Sequence, residues 1–231
     1  FVLSNLDDHA DHAALTQVGQ ALLARLNAEL SSYIAATWRV ESRIELALHS
    51  VYQKLLLSRQ RGKDKGAAKR YAGLLWKGGE PKLHFVGLEA VRRDASELGK
   101  NVQQHLYALL FADAPLAQVE LYLERTIAEL LGRKLDAQLV YRKTLHRDPA
   151  DYVAKNAPHV VVGARHGLLP GSVVPFVITT AGPEHPDHLV HPIDYAHYLE
   201  KQVRAVAEPV LFHYGVPFSR VEKASPQLRL L

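Results

Sequence analysis

The stretch from Ala67 to Asp94, AAKRYAGLLWKGGEPKLHFVGLEAVRRD, restricts what this chain can fold into more than any other. Tyr71 to Trp76 and Leu83 to Val86 are rich in aromatic and aliphatic residues, and Lys77-Gly78-Gly79-Glu80-Pro81-Lys82 lies between them. Two strands, a turn and an entry into a helix follow from that pattern. Basic residues bracket the strands, Lys69 and Arg70 ahead of the first and Arg92 and Arg93 behind the second. Antiparallel pairing carries both clusters to one end of the ribbon, as a cationic cradle.

Upstream, Leu15, Val18, Leu22, Leu26 and Leu30 recur at helical spacing, which predicts an amphipathic helix from about Asp11 to Ala35. Asp7-Asp8-His9-Ala10-Asp11 is the turn-and-cap cluster before it, and Phe1 to Leu6 reads as a short strand. Arg43 to Leu48 alternates Ile44, Leu46 and Leu48 with Glu45 and Ala47, which predicts a half-buried strand. A helix with strands on either side gives a sheet covered on one face, an α+β arrangement.

From Ala95 the apolar period changes from two to near four. Leu98, Val102, Leu106 and Leu109 mark one helix, and Leu116, Val119, Leu123, Ile127 and Leu130 a second, with Asp113-Ala114-Pro115 as the break between an antiparallel pair. A Pro-bounded stretch near Tyr152, a strand at Val173 to Thr180 and a loop rich in Pro and His come next. A helix then starts at Asp194, with Tyr198, Leu199, Val203, Val206 and Val210 on overlapping turns. The domain boundary is placed near Asp94 and Ala95.

Charge is unevenly placed. Residues 1 to 50 carry three Arg against six Asp or Glu, whereas Lys54 to Lys77 holds eight Lys or Arg against the single acid Asp64. With a Tyr, a Trp and two strands interleaved, that run points to a polyanion partner. Lys69 and Tyr71, two apart on a strand, are expected to project from one face. Arg92 and Arg93 precede a helix for which Asp94 is the expected N-cap; one arginine is expected to bind phosphate and the other to pair with Asp94 or Glu97. Tyr141, Arg142 and Lys143 form a further basic-aromatic cluster after a short apolar strand.

No run approaches the roughly 20 apolar residues that cross a bilayer, so no membrane partner is expected and a cytoplasmic location is. The absence of cysteine rules out disulfides and thiolate metal sites. His185, His188, His191 and His197 cluster, and His9 and His12 stand three apart, but neither Cys nor an H-E-x-x-H pattern accompanies them, so no metal site is assigned. No phosphate-binding Gly-rich loop, G-x-S-x-G or cysteine nucleophile is present, and no catalytic residue is assigned.

The run Lys69-Arg70-Tyr71-Ala72-Gly73, its spacer, and Gly87-Leu88-Glu89-Ala90-Val91-Arg92-Arg93-Asp94 resemble the palm-to-thumb passage of family B DNA polymerases, most of all the bacterial DNA polymerase II branch. The resemblance continues in order through LDAQLVYRK (Leu135 to Lys143), NAPHVVVGAR (Asn156 to Arg165), TTAGPE (Thr179 to Glu184) and IDYAHYLEKQVRAVAE (Ile193 to Glu208). It implies the end of the palm over residues 1–94, with antiparallel strands and a covering helix, and a mainly helical thumb over 95–231. It also implies that Lys69, Arg70, Tyr71, Arg92, Arg93, Tyr141, Arg142, Lys143, His159 and Arg165 face a primer–template duplex. The family's lysine before Lys69 is Ala68 here, and its aromatic after Asp94 is Ala95.

In the intact enzyme the resemblance implies nucleotidyl transfer by two Mg²⁺ ions, held by aspartates that precede Phe1 and lie outside this chain. Family members carry several Glu on the strand of Glu45; with Ala47 and His49 at the alternate positions, Glu45 is not assigned as a ligand. The chain begins at Phe1 and contains no methionine, so a portion of a longer polymerase is expected, inactive alone and partnered by the remainder, fingers and catalytic palm included. Two alternatives are a stand-alone duplex-binding module and a subunit of a split polymerase with an apolar surface along Phe1 to Leu6.

Overall fold

A computed structural model of the chain describes residues 11–59, 66–77 and 79–224. It is an α+β structure with two three-stranded antiparallel sheets and about half of its residues in helices. Phe1 to Leu6 and Asp7 to Ala10 lie outside the described residues.

Two compact units emerge, one of residues 1–56 and 73–84, the other of 57–72 and 85–231. The first contains α1 (His12–Trp38), which starts at Asp11, whose carboxylate accepts the Ala14 amide at 2.8 Å. The helix ends at Arg39, in the left-handed region at φ 55°. Arg43 to Leu48, expected as a strand, has no regular structure. The Leu46 amide donates to Asn27 Oδ1 at 2.8 Å and its carbonyl accepts from Asn27 Nδ2 at 3.0 Å, so a helix side chain satisfies the backbone groups that a neighbouring strand would otherwise take. Alternation signals a half-covered surface, and it does not supply a pairing partner. α1 buries none of its residues fully.

β1 (Tyr52–Arg59), β2 (Gly66–Lys77) and β3 (Glu80–Val86) form the first sheet in the order β1-β2-β3. β1 was not expected, because Leu55-Leu56-Leu57 breaks the alternation that marks a strand. Gly73 is where β1 comes close, since a Cβ there would lie 2.5 Å from the Lys54 carbonyl oxygen.

The second unit continues from the ribbon into α2 (Glu97–Phe111) and α3 (Leu116–Leu131). The N-cap of α2 is Ser96 and not Asp94: the Ser96 hydroxyl accepts the Gly99 amide at 3.2 Å. The carboxylate of Asp94 is taken by Arg92 and is not free to cap. Leu98, Val102 and Leu106 of α2 and Val119, Leu123, Ile127 and Leu130 of α3 are buried, each removing a side chain from water for about 2 kcal/mol. Against them lie a π-helical turn (Leu199–Arg204) and α6 (Ala205–His213), which continue α5 (Tyr195–Tyr198) in one segment begun by Asp194, whose carboxylate caps the His197 amide. α7 (Ser219–Ala224) follows.

β4 (Tyr141–Thr144), β5 (Val173–Thr179) and β6 (Gly182–Glu184) make the second sheet, with Tyr141 opposite Phe176 and Lys143 opposite Val174. The basic-aromatic cluster is thus itself the strand, and the Leu135 to Leu139 segment before it is a 3-10 turn centred on Asp136–Gln138. α4 (Pro158–Arg165) packs on this sheet through a core of Leu145, Val160, Val162, Val174 and Phe176. No helix among the described residues is long and apolar enough to cross a membrane.

Candidate nucleic-acid interface

The base of the β2–β3 ribbon is built by a close approach. Lys69 in β2 has a left-handed backbone, φ 60°, as does Gly87 just past β3, φ 63°, and a Cβ at Gly87 would lie 2.2 Å from the Lys69 carbonyl oxygen. The regular alternation that would carry Lys69 and Tyr71 to one face is therefore interrupted at Lys69. Lys69 is exposed, while Tyr71 is half-buried.

Arg70 donates to Glu89 Oε1 at 2.8 Å, and Gln103 of α2 donates to Glu89 Oε2 at 2.9 Å while accepting the Ala90 amide at 2.7 Å. This network ties the ribbon to α2, and it commits Arg70 to an internal carboxylate. Both basic clusters do reach one end of the ribbon, but with different roles.

Arg92 grips Asp94 with two hydrogen bonds, at 2.9 and 2.8 Å. Those bonds hold the Asp94 carboxyl below its ordinary range against the opposing effect of burial, and Lys143 lies near enough to lower it further. Arg93 makes no ion pair among the described residues. Lys143 and Arg142 are exposed on β4 and likewise unpaired. Lys143 also lies near His159, where it and His146 add to the burial that depresses the imidazole's pKa. Asp94, Lys143, His146 and His159 thus form one electrostatic neighbourhood, which links α2, β4 and α4. Sequence reasoning missed His146, which stands apart from every quoted block.

Tyr141 faces inward. Its ring stacks on Phe176 and Tyr198 at 5.3 and 5.7 Å, its hydroxyl lies 3.1 Å from His197 Nε2, and burial raises its pKa. His159 is 5% exposed, with its ring edge-on to Tyr152. Arg165 ends α4 exposed and donates to the Pro183 carbonyl at 3.3 Å.

The histidines group differently from their order in sequence. His191 meets Glu184 at 2.5 Å, His197 meets Tyr141, and His185 and His188 assemble with His166. Glu184 also accepts the Val190 and His191 amides, and these bonds, the one from the His191 ring foremost, hold its pKa down at about 2. His9 lies outside the described residues.

Burial lowers the pKa of His159 and His197 below the ordinary 6.5. The unfolded chain therefore binds more protons than the folded chain as pH falls through the histidine range, and stability falls with it. Melting temperature is expected to drop between about pH 7.5 and about pH 5.5. The drop should be smaller in His159→Gln, and an equal or larger drop in that variant would reject the assignment.

The profile of DNA polymerase family B matches residues 15–208. This chain belongs to the family B DNA polymerases. It is 35% identical over 214 residues to DNA polymerase II of Escherichia coli (strain K12), an alignment that covers 88% of this chain and 27% of that protein. Identity to DNA polymerase 2 of Aeropyrum pernix is 33% over 178 residues, 71% of this chain and 22% of the relative. The solved structure of the family B DNA polymerase from the archaeon Pyrobaculum calidifontis shares the fold with a TM-score of 0.53 at 23% identity, over 79% of this chain and 24% of that one. The chain thus spans about a quarter of the length of these polymerases.

Divalent metal, which the family's chemistry employs, finds no fitting donor set among the described residues. Among the described residues no three His, Asp or Glu side chains converge to hold an ion, and Glu45 is exposed on an irregular segment.

Proposed function

We propose that this chain is the duplex-gripping part of a DNA-directed DNA polymerase, with the end of the palm in residues 1–94 and the thumb in 95–231. The observation that carries the reading is the set of exposed cations that make no ion pair among the described residues: Lys69 at the base of the ribbon, Arg93 ahead of α2, and Arg142 and Lys143 on β4. Arg92 and Arg70 are spent on Asp94 and Glu89, so their part is to hold the surface in shape. Tyr71 flanks it, and Tyr141 and His159 support it from within. Such a surface positions a duplex through phosphates and carries no sequence code.

The chemistry, nucleotidyl transfer with divalent metal, would be supplied by the rest of the polymerase. The first compact unit supports such a partner: Tyr33, Trp38, Val40 and Ile44 are each more than half exposed, and the Tyr33 and Trp38 rings meet edge-on, apolar surface of the kind that another protein covers.

The test is a binding titration of the chain on two duplexes of equal length and unrelated sequence. Equal affinity within about threefold is expected, and a preference of tenfold or more, about 1.4 kcal/mol, would refute the reading.

A further inference from the structure

His166 follows α4, whereas His185 caps and His188 ends the 3-10 turn Pro186–His188 that leaves β6. Their ring centroids are 5.0 Å (166 to 185), 5.3 Å (166 to 188) and 5.5 Å (185 to 188) apart, a nearly equilateral triangle assembled from both sides of β5 and β6. His166 and His188 are exposed and His185 is half-buried. Three imidazoles gathered this way repel one another once charged, so the arrangement is suited to a counter-charge that enters from outside.

The hydrogen bonding decides which kind of ligand suits the triangle. The Asp187 amide donates to His185 Nδ1 at 3.3 Å, so Nδ1 is the acceptor and the proton of the neutral ring sits on Nε2. A metal ion would need the Nε2 lone pair and would leave an Nδ1–H facing the Asp187 N–H. An oxyanion needs the Nε2–H that this tautomer already offers.

The charged groups around the trio are few. Arg165 lies beside His166 and adds positive potential. The Asp187 carboxylate is 3.8 Å from His185 Nδ1 and largely exposed. Glu184, on β6 behind the turn, is committed to His191 and two backbone amides. No charged residue is contributed by β5, the strand on which α4 packs.

We propose that His166, His185 and His188 form a binding site for a phosphate group, in which His185 donates its Nε2–H and the exposed His166 and His188 engage the oxyanion as their rings take up protons. Burial first, then His185, His188 and Arg165, hold His166 below its ordinary pKa in the empty triangle. A bound anion reverses that repulsion, so by linkage phosphate affinity rises as pH falls through the histidine range. The phosphate could come from a nucleic-acid backbone or from a free phosphate or pyrophosphate ion, which share this chemistry. The site shares no residue with the Lys69 and Arg93 surface and does not rest on that reading.

The test follows the histidine Cε1–H resonances of the 231-residue chain during titration with inorganic phosphate. At about pH 6 the three signals are expected to move together and with one affinity, which should weaken by about tenfold or more at about pH 8. The double variant His166→Gln/His188→Gln should lose the response, with a melting curve to show that these two exposed changes leave the fold intact. A duplex arm at about pH 6 separates the sources: loss of duplex affinity in the double variant assigns the site to a DNA phosphate, and loss of the phosphate response alone assigns it to a free ion. Absence of coordinated movement, an equal response to chloride, affinity independent of pH, or full binding by the double variant would each overturn the proposal.

Discussion

Replacing Lys69 and Arg93 together by alanine is expected to lower the affinity of this chain for duplex DNA by roughly 60-fold at about 0.1 M salt, and by the same factor on every sequence. The estimate follows from counterion release. Each phosphate neutralised by a Lys or Arg contributes about 0.9 to the slope of log affinity against log salt, so two lost contacts flatten the slope by about 1.8. Lys69 and Arg93 are chosen because neither has a carboxylate partner among the described residues, whereas Arg92 is held by Asp94. Arg92→Ala should therefore flatten the slope less, and it removes an exposed ion pair worth about 0.2–1 kcal/mol of stability.

A companion variant separates binding from folding. Lys69 holds a left-handed backbone that costs a non-glycine residue about 1–2 kcal/mol. Lys69→Gly relieves that strain while adding unfolded-chain entropy worth about 0.4–1 kcal/mol, so stability should stay the same or rise by up to about 1.6 kcal/mol. Its salt slope should flatten by about 0.9 all the same. An unchanged slope in the double variant would leave Lys69 and Arg93 as ordinary solvated surface.

The parts of the structure legible in sequence are those whose signal is local. α2 and α3 were readable to within about two residues because their apolar positions repeat with helical period and Pro115 marks the break. The ribbon was readable from its aromatic strands and Gly-Gly turn. Arg43 to Leu48 was misread because alternation reports which side chains prefer cover, and Asn27, far away in sequence, had already answered the backbone of Leu46. The site was legible as a list of cations and not as a division of labour. Which of Arg70, Arg92 and Arg93 is free depends on Glu89 and Asp94, and on Gln103 holding Glu89 from another helix. Tyr141 looked like part of a surface cluster because Arg142 and Lys143 follow it, yet Phe176 and Tyr198, brought from distant segments, enclose its ring. The same holds for His166, whose partners are adjacent only after β5 and β6 have formed.

Gly87→Ala is expected to be the most damaging single change at the interface, lowering stability by roughly 3 kcal/mol. Two independent costs meet there. The backbone sits at φ 63°, where a Cβ costs about 1–2 kcal/mol. The added methyl would also lie 2.2 Å from the Lys69 carbonyl oxygen, a contact with backbone that no rotamer change can relieve. The ribbon base must then open, which pulls Arg70 away from Glu89 and leaves a half-buried carboxylate with one fewer donor, at a further cost of about 1 kcal/mol. For a chain of this size the sum corresponds to a fall in melting temperature of about 6–12 °C. Gly79→Ala is the control: its φ of 88° imposes the conformational cost, but nothing lies within 4 Å of the new Cβ. It should therefore lose only about 1–2 kcal/mol. Because the distortion sits at Lys69 itself, Gly87→Ala should also weaken duplex binding at temperatures well below its melting point, while Gly79→Ala should not. Melting curves and duplex titrations of the two variants side by side decide the matter, and equal behaviour of both would show that the approach of Gly87 to Lys69 does not set the shape of the interface.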